Sequence, residues 1–83
     1  MKFWKGNRVD AEFDMPVAEV AAKYVAYAES EDVKAEHLQG LPIERALRWW
    51  LTSPDHFNSV WVDEKGPESF DALYNAVHDA IWK

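Results

Sequence analysis

The apolar positions of this chain change period along its length, and each change predicts an element. Between residues 9 and 14, Val9, Ala11 and Phe13 alternate with Asp10, Glu12 and Asp14. A period of two marks a strand with one face buried. Gly6-Asn7 just before it is a two-residue turn signal, because glycine accepts the positive φ that a II′ turn needs at its first position. The segment KFWKGNRVDAEFD therefore predicts a β-hairpin with Trp4 facing Val9. In that register Trp4, Val9, Ala11 and Phe13 share the inner face. Phe3, Lys5, Arg8 and the acids share the outer one.

From Met15 the period lengthens. Val17, Val20, Ala21, Tyr24, Val25 and Ala28 recur at helical spacing, with Asp14 placed to cap the N-terminus and Pro16 in the first turn. Ser30 is placed to cap a short second helix that ends at Gly40. A third helix follows Leu41-Pro42, with Ile43, Ala46, Leu47, Trp50 and Leu51 on its apolar stripe. Ser53-Pro54-Asp55 then reads as a cap, a proline at the first helical position and an acid behind it, starting a single turn. The β-branched and aromatic run Ser59–Asp63 predicts a third strand. Beyond Pro67, the residues Phe70, Leu73, Tyr74, Val77 and Ile81 mark a closing amphipathic helix. The expected fold class is α+β. It comprises one domain over residues 1–83, with a small antiparallel sheet (the N-terminal hairpin and a strand near 59–63) packed against three to four helices.

Composition narrows the chemistry more than it names it. Cysteine is absent, which excludes disulfides, thiolate metal sites and a thiol nucleophile. Hydrophobic residues make up 48% of the chain and five are tryptophan, enough apolar area for a core without covalent staples. The net charge of −6 opposes binding to a phosphate backbone. Residues 1–13 and 40–52 each sum to +1, too little for a nucleic-acid groove. No apolar run approaches a membrane span, and the first residues lack the apolar core of a signal peptide. A cytoplasmic protein that does not engage membranes is expected.

Candidate chemistry is sparse. His37, His56 and His78 fall in no metal-ligand spacing. Ser53, Asp55 and His56 are the residue types of a triad, but a triad draws its members from separated positions, and helix capping accounts for the first two. There is no phosphate-binding glycine loop and no dinucleotide or nucleophile-elbow motif. No catalytic residue, metal site or cofactor is expected.

What remains is aromatic. In the doublet Trp49-Trp50, Trp50 joins Leu47 and Leu51 on the apolar stripe, whereas Trp49 falls on the side of Arg45 and Arg48. Tryptophan with arginine is the composition of protein-binding hot spots. Arg45, Arg48 and Trp49 are therefore the expected anchor. Phe3, Asp10 and Glu12 on the outer hairpin face complete the candidate partner-binding set. The expected function is a non-enzymatic, small acidic protein-binding module, an inhibitor or adaptor. Cysteine-free, acidic, tryptophan-rich chains of this size are common among phage and mobile-element antagonists, an association of composition only. Two alternatives accompany it: a nucleic-acid mimic presenting carboxylates, and a homodimeric structural protein.

Overall fold

In the computed structural model of the chain, residues 1–5 and 12–83 are described; for Glu12 the description covers the backbone. Element order is β1 (Lys2–Lys5), β2 (Glu12–Asp14), α1 (Val17–Ser30), α2 (Val33–Leu38), α3 (Ile43–Thr52), β3 (Ser59–Val62) and α4 (Phe70–Ile81). The sheet is antiparallel with order β2-β1-β3, and the fold is α+β. The expected turn at Gly6-Asn7 lies outside the described residues.

The register of the first pair differs from the sequence expectation. Lys2 faces Asp14, Phe3 faces Phe13 and Trp4 faces Glu12, so Trp4 does not face Val9. The shift from the two-residue-turn register is odd, and an odd shift exchanges the faces of one strand relative to the other. Phe3 thereby joins Phe13 on the helix side and is wholly buried, correcting its expected outward position. The gain is aromatic packing. Phe3 stacks on Phe13 with centroids 4.9 Å apart and meets Phe57 at 4.6 Å. Lys5 lies on the same side, its Nζ donating to the Phe57 carbonyl at 2.6 Å and sitting over the Phe13 and Phe57 rings.

β3 carries a bulge. Trp4 faces Trp61 and Lys5 faces Ser59, leaving Val60 without an opposite residue. Strict alternation would turn Trp61 inward with Ser59. Instead Ser59 is buried, Val60 and Trp61 are both exposed, and Val62 packs against the core.

The core lies between the helices and the inner face of the sheet. It contains Phe3, Val20, Tyr24, Leu47, Trp50, Phe70, Leu73 and Val77, and the expected stripes of α1, α3 and α4 supply most of it. Capping differs from expectation at two helices. α1 starts behind Pro16 without a side-chain cap, and Asp14 binds the N-terminal ammonium at 2.9 Å instead. α2 starts behind Asp32 in a left-handed conformation at φ 60°, and Ser30 Oγ donates back to the Tyr27 carbonyl. Gly40 ends α2 at φ 116°, a conformation in which a side chain is strained. α4 has a cap the sequence reading lacked: Ser69 Oγ accepts from the Ala72 N–H and donates to the Gly66 carbonyl. Ser53 serves the 54–57 turn as expected. Its Oγ accepts from the Asp55 N–H, and its carbonyl accepts from the N–H groups of His56 and Asn58.

Candidate functional site

α3 positions the expected anchor. Its apolar stripe turns Leu47, Trp50 and Leu51 inward, so the neighbouring Trp49 must leave the core, one residue being about 100° on a helix. Trp49 is 53% exposed. It is not bare: the His56 ring meets it edge-on at 5.1 Å, and His56 in turn meets Tyr27 at 4.8 Å. The turn that Ser53 caps thus places one ring against the base of Trp49. Beyond it opens a hollow of about 230 Å³ lined by Arg48, Trp49, Leu51, Thr52, Val62 and Phe70.

The two arginines part company. Arg48 works within the chain. It binds Glu44 at 3.4 Å and Glu64 at 3.0 Å, and its guanidinium lies 3.9 Å over the Phe70 ring. Partial burial opposes its charge, but hydrogen bonds and attraction from Glu64 and then Glu44 outweigh that and raise its pKa. Its contacts tie α3 to the segment joining β3 and α4, and it stacks on Phe70 rather than on Trp49. Arg45 is exposed and makes no ion pair among the described residues. Phe3 is core and stands apart from this surface. Asp10 lies outside the described residues, and Glu12 occupies the β2 position facing Trp4.

A second aromatic surface was not legible in the sequence. On the sheet face away from the helices, Trp4 and Trp61 meet with centroids 4.4 Å apart at 55°. Trp61 is 54% exposed and Val60 beside it 60%. The hairpin register predicted from Gly6-Asn7 placed Trp4 inside, and no residue pattern announces a bulge at Val60. The only available signal was the adjacency of two large apolar residues in a run too short to bury both.

Several titratable groups are engaged structurally. His37 is buried. Its Nδ1 lies 2.8 Å from the Leu41 carbonyl, which can only accept, so Nδ1 donates there, and Nε2 is hydrogen-bonded with Tyr24 Oη at 2.7 Å. Burial pushes the Tyr24 hydroxyl well above its ordinary range. His78 neighbours Tyr74, Trp82 and Asp79. Among the described residues no three or more histidine or carboxylate side chains gather as a metal site. At the far end of the sheet, the N-terminal ammonium is held by Asp14 Oδ1, the Met15 carbonyl and Glu68 Oε1. Its own burial lowers its pKa, but Asp14 and Glu68 together raise it on balance. The hydrogen bond from the ammonium holds Asp14 below its ordinary value.

No described helix is long and apolar enough to cross a membrane. Compared with known protein families, curated proteins and solved structures, the chain matches none.

Proposed function

We propose that the protein is a binding module without catalytic activity, an inhibitor or adaptor that acts by engaging another protein. The observation that carries this reading is Trp49: more than half of its surface stays in solvent beside an apolar hollow. A large aromatic held rigid by neighbours offers contact area at low entropic cost, which is what hot-spot residues supply. Arg45, one helical turn before it, is exposed and makes no ion pair among the described residues, while Arg48 acts as the brace that fixes the hollow's wall. The acidic phage-antagonist type remains the closest fit to size and charge. The mimicry alternative draws less support, because Asp14 on the hairpin turns onto the N-terminal ammonium instead of presenting a bare carboxylate.

The test compares wild-type and Trp49→Ala proteins as baits in a bacterial lysate. Replacing the indole is expected to weaken capture of a specific protein by about 1–2 kcal/mol or more, with the unfolding curve little changed. Identical capture by both baits would remove Trp49 as the anchor, and unfolding of the variant would make it a core residue.

A further inference from the structure

Around Trp49 the hydrogen-bond donors are spare and the carboxylates are spent. Arg45 and Trp49 lie one turn apart on α3, a spacing that brings their side chains within about 6 Å at the base. Arg45 is exposed and makes no ion pair or hydrogen bond among the described residues, so its guanidinium donors are left to solvent. The Trp49 indole N–H has no acceptor among the described residues either. By contrast, Glu44 and Glu64 both turn onto Arg48, at 3.4 and 3.0 Å. The hollow beside Trp49 supplies an apolar seat. Its volume of about 230 Å³ is below the roughly 300–1,000 Å³ of small-molecule sites, so it is sized for one side chain. Leu51, Val62 and Phe70 line it, together with Arg48, whose charge is already matched. We infer, on the reading of Trp49 as the anchor, that this site takes an acidic, apolar segment of a partner protein. A leucine-sized side chain of that segment fills the hollow, and a neighbouring aspartate or glutamate binds Arg45.

A carboxylate is the matching group because it only accepts, and it can take two parallel N–H bonds from one guanidinium. Range decides whether the chain's own acidity forbids it. The net charge of −6 is spread along the whole chain, and salt at about 0.15 M screens exposed charges beyond about 8 Å. The decisive charge is therefore the one at contact, and that is Arg45. A lysine or arginine in the same place would meet a like charge and spare donors, with nothing to accept its own.

The experiment uses the 83-residue chain and two synthetic peptides, one alternating leucine with glutamate and one alternating leucine with lysine. The indole N–H resonances of the five tryptophans are followed during titration at about 0.15 M salt. The glutamate peptide is expected to move the Trp49 signal and to bind at least about fivefold more tightly than the lysine peptide. Arg45 has no ion pair or hydrogen bond to lose, so Arg45→Glu keeps the fold and should reverse that order. Arg45→Gln, which removes only the charge, should bring the two peptides within about twofold of each other. If both peptides move Trp49 equally, before and after Arg45→Glu, the acidic partner is overturned while the Trp49 anchor stands. Shifts confined to Trp4 or Trp61, or no response at millimolar peptide, would overturn it as well, with capture by the Trp49→Ala bait still deciding the anchor. Trp49 shifts that follow protein concentration without peptide would assign the hollow to a second copy and overturn it too.

Discussion

The two faces of the sheet are both aromatic, yet only one is sealed. On the inner face Phe3, Phe13 and Phe57 pack within 4.6–5.7 Å of one another, under the helices, with Phe3 fully buried. On the outer face Trp4 and Trp61 pack just as closely, at 4.4 Å, and Trp61 still keeps half its surface in water. Ring-to-ring contact is therefore not what distinguishes core from surface here. The inner rings have helices on their other side, and the outer rings have none among the described residues. In energetic terms the inner face should carry more of the stability than the outer one.

The sharpest way to break that comparison is Phe3→Ala. Truncating a buried aromatic leaves a cavity and should cost about 3–5 kcal/mol in urea unfolding. If the loss were below about 1 kcal/mol, the inner face would not be the stabilising one. Trp61→Ala should cost less, about 0.5–1.5 kcal/mol, because it removes one cross-strand aromatic pair and little burial. A loss as large as that of Phe3→Ala would make the outer pair part of the core. Val60→Thr should fall within about 0.5 kcal/mol of wild type, as exposed substitutions do, in thermal or urea melts.

A final prediction concerns pH at the outer end of β2, where the ammonium binds Asp14 and Glu68. The ammonium's pKa is raised above its ordinary 8.0, so its contribution is complete below that value and fades as pH climbs through the raised one. Asp14 is lowered below its ordinary 3.8, so its contribution is complete above that value and fades as pH falls through the lowered one. Asp14→Asn should flatten the acid limb of the stability–pH profile and weaken the alkaline one, with Glu68 sustaining part of it. An unchanged profile would show that the pair contributes nothing.

Several features were legible because they depend on neighbours in sequence. The stripes of α1, α3 and α4 follow from helical spacing, the β-branched run marked β3, and Gly40 ended α2 as expected. The parting of Trp49 from Trp50 was equally local, since one helical step turns adjacent residues to different sides. Two caps were misassigned for a different reason: Asp14 and Ser30 have the right chemistry, but a nonlocal charge and a backward hydrogen bond claimed them. The arginines show the same division. Sequence placed Arg48 beside Trp49, but Glu64 and Phe70, which commit it elsewhere, arrive from distant parts of the chain.

By itself, then, the sequence determined the helices, the existence of three strands, the absence of thiol chemistry and the exit of Trp49 from the core. Only the tertiary structure decided the strand register, and with it that Phe3 lies inside and Trp4 outside. It also decided that Val60 and Trp61 share one face. The physical reason is that strand faces alternate every residue, so a shift of odd length or one extra residue reverses inside and outside. Neither event changes the local pattern. What selects between registers is the packing of Phe3, Phe13 and Phe57 beneath helices that the strands meet only in the folded chain.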